Sequence, residues 1–189
     1  MSHLWAWLAV AGFGALHGLN PATGWVFAAA WSLRSGERAQ VLRSLLPLAL
    51  GHAASIALVA AAVVAGLEMD RGVLQWVTGG VFVAFVALHL WRRTPHAARA
   101  PAGHAGLAVW SFLVSSAHGA GTMLVPALVP LCAQDAASGA TTAPGALGLA
   151  LAALGVHMAA MLAVTAAVAL GVVRVLTARG HHFKTGEIT

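Results

Sequence analysis

Five stretches of this chain, residues 4–33, 44–67, 72–91, 100–134 and 136–173, contain no Asp, Glu, Lys or Arg. No other feature constrains the fold as much. An α-helix needs about 20 predominantly apolar residues to cross a bilayer, and each stretch supplies them. Only 8% of the residues are charged and 60% are apolar, against about 25% charged in an ordinary soluble domain. This points away from a water-soluble fold, and the hydrophobicity points away from disorder. The predicted class is all-α: a polytopic membrane bundle of five transmembrane helices, with the lipid bilayer as its main partner. The basic residues are too few to coat nucleic acid. The single cysteine, Cys132, forms neither an intrachain disulfide nor a thiolate zinc site.

Charge placement predicts the orientation. Arg34, Arg38 and Arg43 follow the first stretch; Arg92, Arg93 and Arg99 follow the third; Arg174, Arg179 and Lys184 follow the fifth. The opposite side holds one basic residue, Arg71, with Glu68, Asp70 and Asp135. The positive-inside rule then predicts an outer N-terminus and a cytoplasmic C-terminus, as expected of a multi-pass protein of the bacterial inner membrane. Met1 to Trp25 hold no Lys or Arg, so the first stretch reads as a retained helix rather than a signal peptide. Its length allows it to be tilted, kinked or partly re-entrant.

A repeat runs through the pattern. His17-Gly18 in the first stretch corresponds to His118-Gly119 in the fourth, and Gly51-His52 in the second to His157 in the fifth. The offsets, 101 and 105 residues, nearly agree. Three spans separate the copies, so the second enters the membrane from the opposite face, as in inverted-repeat transporters. The predicted organisation is a three-helix repeat over 1–92, a cytoplasmic loop over 93–106, a truncated second repeat over 107–176 and a cytoplasmic tail over 177–189, a partial 3+2 arrangement.

The ionisable groups inside the stretches are histidines. At 1.5 Å per residue, His17, His52, His118 and His157 each fall roughly 12–18 Å from the outer face of a ~30 Å core. Four imidazoles are thus expected to converge near the midplane. Neutral imidazole offers a lone pair suited to nickel, cobalt, zinc or copper, and to haem iron. The expected metal ligands are these four, with Asn20, Ser55, Ser115, Thr122 and Met161 contacting substrate beside them. Ser111, Ser115, His118 and Thr122 share a helical face, as do His157, Met161 and Thr165, and Thr78, Phe82, Phe85 and His89. Pro21 removes an N–H, so the carbonyl of His17, four residues back, loses its helical partner. That carbonyl is expected to stand free beside the imidazole. Gly14 with Gly18, and Gly51 with Ser55, read as close-packing pairs.

At 14–21 (Gly14-Ala15-Leu16-His17-Gly18-Leu19-Asn20-Pro21) and 51–56 (Gly51-His52-Ala53-Ala54-Ser55-Ile56), the sequence resembles small transporters of the lysine-exporter superfamily. That group includes nickel/cobalt exporters and has inverted three-helix repeats. The resemblance implies that His17, Asn20 and His52, with His118 and His157, contact substrate. The chain departs from the pattern in lacking the acidic partner of the first histidine, a long His-rich loop and a sixth helix. Similar small proteins are often labelled arginine/ornithine antiporters, but no buried carboxylate is available here to pair with a cationic amino acid. The expected function is therefore a membrane transporter of a transition-metal ion, not an enzyme. The alternatives are a b-type haem protein with paired histidine ligands, an amino-acid exporter, and an assembly subunit whose histidines only bridge helices. A homodimer or a membrane-complex partner would supply the missing span.

Overall fold

Proline and glycine decide where the first helix stops. The computed structural model describes residues 2–64, 76, 79–80, 83–84, 87, 103–118 and 143–185. Helix α1 (Ser2–Leu19) is followed by one 3₁₀ turn (Pro21–Thr23) and then by α2 (Trp25–Ser35). Pro21 cannot donate to the helix. Gly24, between the turn and α2, takes φ 125°, a value that suits glycine and few other residues. Gly36 ends α2 in the left-handed region, at φ 70°, the usual glycine stop. Helices α3 (Ala39–Val64), α4 (Gly103–Ala117) and α5 (Ala143–Thr185) complete the described fold. It is all-helical; no strand occurs among the described residues.

The helices pack as two parallel pairs. Along α1 and α5, Val10 packs with Ala153, Gly14 lies against His157, and Gly18 against Met161. The numbers rise together, so these helices run in the same direction. Beyond the turn, α2 continues along α5, with Ala28 and Ala29 clustered with Ala169 and Val173. In the second pair, Gly51 of α3 sits against Ala108 and Phe112 of α4. Ser111 donates to the Leu48 carbonyl at 2.7 Å, and Ser55 shares a 2.8 Å bond with Ser116. These helices also run in the same direction. The two pairs are antiparallel: Val10 meets Ile56, and Gly24 meets Leu48.

Gly14, Gly18 and Gly51 permit the close approach. A Cβ at Gly14 would strike the His157 carbonyl, one at Gly18 the Met161 carbonyl, and one at Gly51 the Ala108 carbonyl. Small residues bring backbones into van der Waals contact where lipid leaves little hydrophobic gain from helix association. The packing role expected of the Gly14/Gly18 and Gly51/Ser55 pairs is what the contacts display.

Several large apolar side chains lie on the surface, and several polar ones lie inside. Trp5, Leu16, Leu46, Leu50 and Leu151 are each more than half exposed, whereas Ser44, Ser55, Ser115, Thr165 and both His52 and His157 are buried. Among the described residues, two helical segments, Ala39–Leu58 and Gly148–Arg179, are long and apolar enough to cross a membrane; the apolar part of α1, Leu4–Leu19, is shorter. The stretch at 4–33 is therefore not one continuous helix. It is interrupted at 20–24, and its two halves together run beside α5.

Candidate functional site

The interruption in the first stretch lies next to the histidines, and side chains from within it and from two neighbouring helices bond its backbone. Buried backbone groups are costly without such partners. Asn20 caps the turn, its side chain accepting from the Ala22 N–H at 3.0 Å. Thr23 donates its hydroxyl to the carbonyls of His17 and Asn20, at 2.8 and 2.6 Å. The Trp25 indole donates to the Leu19 carbonyl at 3.0 Å. Across the bundle, Trp110 of α4 donates to the Ala22 carbonyl at 2.8 Å, and Thr165 of α5 reaches the Gly18 carbonyl at 3.4 Å. The expectation of a free His17 carbonyl is corrected here: the Thr23 hydroxyl and the Asn20 N–H, at 2.8 and 3.2 Å, take the place of the N–H that Pro21 lacks. Asn20, expected against substrate, spends its side-chain oxygen on the turn.

Beside this break three imidazoles from three helices meet. His17 of α1 and His157 of α5 have ring centres 5.3 Å apart. His17 and His52 of α3 are 5.7 Å apart. His52 and His157 stack at 5.6 Å, with an angle of 18° between the rings. Three imidazoles sharing one tetrahedral ion, at nitrogen–metal distances of about 2.0–2.1 Å, have ring centres roughly 5 Å apart. The ring centres of the triad lie near that spacing, which is also the spacing of ordinary ring packing, and as the rings stand no group of three or more His, Cys, Asp or Glu among the described residues could hold a metal ion.

The bonding of each ring identifies its available nitrogen. His17 Nδ1 bonds the Phe13 carbonyl at 2.9 Å, so it carries the proton and Nε2 bears the lone pair. His52 Nδ1 shares a 2.6 Å bond with the Ser115 hydroxyl, and its Nε2 is buried without a partner. Both nitrogens of His157 are buried and without a partner. The Val10 backbone comes near this ring but does not meet hydrogen-bond geometry. Native structures leave few such atoms unsatisfied. Of the four buried side-chain nitrogens without partners among the described residues, three belong to this cluster and the other is Gln40 Nε2, about 18 Å away along α3. Because neither of its nitrogens is engaged, His157 is the ring best able to turn toward a shared ion.

His118 does not join the triad. It follows α4, is exposed, and bonds the Val114 carbonyl through Nδ1 at 3.0 Å. Of the polar stripe expected on the fourth stretch, Ser111 and Ser115 spend their hydroxyls on Leu48 and His52 of α3. That is helix packing and ring support rather than pore lining. Ser55 is engaged with Ser116. Met161 is buried, its carbonyl against Gly18. Thr122, with Thr78, Phe82, Phe85 and His89, lies outside the described residues. Sequence reasoning missed Thr23 and Trp110, the donors that complete the break. Thr23 was within sight, two residues after Pro21; Trp110 is 88 residues from its acceptor and carries no local signal.

Comparison of the chain with protein-family models, with curated proteins and with solved structures gave no match.

Proposed function

We propose that this chain is a five-span membrane protein that moves a transition-metal cation through the site formed by His17, His52 and His157. The observation that carries the reading is the triad itself: three rings in contact, from three helices, with three buried nitrogens that no protein group satisfies. Histidines acting only as bridges between helices would spend those nitrogens on neighbouring helices. Here only the His52–Ser115 bond does so.

Several features support the membrane setting. The exterior is leucine-rich and the interior holds hydroxyls and imidazoles, a distribution suited to lipid. Helices α3 and α4 run in the same direction, which fits one further span between them. The charge-free stretch at 72–91 is long enough to be that crossing, which makes five spans with alternating directions. The positive-inside count then puts the N-terminus outside. Matching pairs at offsets of 101 and 105 residues support the inverted 3+2 repeat: Gly14 against His157 in one pair, Ser115 against His52 in the other.

The site favours a cation. The carbonyl end of α1, in whose last turn His17 lies, carries the negative end of the helix dipole. Broken helices with termini aimed at a midplane site are the usual way transporters hold ions. An all-imidazole donor set suits nickel, cobalt, zinc or copper(II). Rings in mutual contact at 5.3–5.7 Å leave no slot for a porphyrin between a trans pair, which favours a bare ion over haem.

The test is equilibrium binding of nickel, cobalt, zinc and copper to the purified chain, with elemental analysis and an absorption spectrum. One ion per chain is expected, with affinity lost in His17→Ala and His157→Ala. A Soret band, or metal affinity unchanged in both variants, would overturn the reading.

A further inference from the structure

His118 is the one member of the repeated histidine set that stands apart, and its geometry repeats that of His17. Each ring bonds, through Nδ1, the carbonyl four residues before it: Phe13 for His17 at 2.9 Å, Val114 for His118 at 3.0 Å. Each therefore has Nε2 available as a lone-pair donor. Each follows by three residues the position that packs on the partner helix's histidine. Gly14 lies on His157, and Ser115 lies on His52. The α1–α5 and α4–α3 pairs are thus in the same register at their histidines, and in both the helices run parallel. In the first pair the His17 ring reaches His157 at 5.3 Å. In the second the His118 ring is turned out and exposed, and the Ser115 hydroxyl holds His52 Nδ1 instead. Gly14, with no side chain, makes no such claim on His157, whose two nitrogens are unpartnered.

Two copies of one arrangement therefore stand in two different conformations. In an inverted-repeat carrier, exchanging the conformations of the repeats produces the state open to the other side. From this, and resting on the proposed function, we infer that His118 is the alternate metal ligand of the same site. In a second conformation its ring packs on His52 as His17 packs on His157 here. The cation passes from a triad completed by His17 to one completed by His118, while His52 and His157 remain in both. The ligand class is unchanged: a divalent transition-metal ion held by three neutral imidazoles.

The experiment pairs equilibrium nickel binding in detergent with nickel flux into liposomes, both on the full chain. His17→Ala is expected to lose both, each by tenfold or more. His118→Ala is expected to lose flux by at least tenfold while losing several-fold less nickel affinity than His17→Ala. A third variant, His118→Cys, gives a readout that a merely structural residue would not move. A thiolate favours soft ions, so flux should shift in preference toward cadmium over nickel. Wild-type flux in His118→Ala overturns the inference. So does a loss of binding as large as that of His17→Ala, or the same ion preference in His118→Cys as in His118→Ala. Wild-type protein that binds none of nickel, cobalt, zinc and copper overturns the functional reading, and the inference with it.

Discussion

Replacing Gly14 by alanine tests how the site is held together. A Cβ at this position would fall well inside van der Waals contact of the His157 carbonyl, with the His157 C and Cα also at about 3 Å. The obstacle is backbone and cannot rotate aside, so α1 and α5 must part by about 1 Å. Overpacking of this kind costs about 1–3 kcal/mol. Gly12 provides the control. It lies on the same helix, two residues away, and a Cβ there meets nothing within 4 Å. Alanine at Gly12 should be neutral, or stabilising by up to about 1 kcal/mol through helix propensity. The assay is unfolding of the detergent-solubilised chain by sodium dodecyl sulfate, followed by far-ultraviolet circular dichroism. Gly14→Ala should unfold at a lower detergent fraction than wild type, and Gly12→Ala at the same or a higher one. Because His17 lies one turn beyond Gly14, the parting also carries its ring away from His157, and nickel affinity should fall with stability. Equal midpoints for the two variants would refute the close α1–α5 crossing and the ring geometry built on it.

Ser115→Ala removes the only partner of His52 Nδ1. It should cost about 1–3 kcal/mol in the same unfolding assay and weaken metal binding by roughly 10–100-fold, as loss of a ligand's supporting bond does. Thr23→Val keeps the shape but removes the hydroxyl shared by the His17 and Asn20 carbonyls, leaving the His17 carbonyl with the Asn20 N–H; a loss of about 1 kcal/mol is expected, and none at all would mean that the hydroxyl contributes nothing to the turn.

Much of this architecture can be read in the residues themselves. Described helix fills most of the charge-free stretches at 4–33, 44–67 and 136–173. Gly14, Gly18 and Gly51 mark the tight crossings because only a missing Cβ lets two backbones touch. Pro21 marks the break because it has no N–H. What the spacing hides is how each exposed polar group finds its partner. The helical face shared by Ser111, Ser115 and His118 looks uniform in sequence. In space, α3 claims the two serines and leaves the histidine outside. Depth arithmetic puts four rings in one slab; it carries no information about the side of the helix from which a ring emerges, and that separates His118 from the other three. The donors that complete the break come from distant helices, so no local pattern announces them.

The interruption between α1 and α2 has a mechanical corollary. Its loosened carbonyls are gripped by Trp110 and Thr165, each from a different neighbouring helix. Straightening the elbow would break both bonds at once, so it is a knee locked in flexion. Any shape change in this molecule has to be made by whole limbs swinging about that fixed joint, never by the joint unbending.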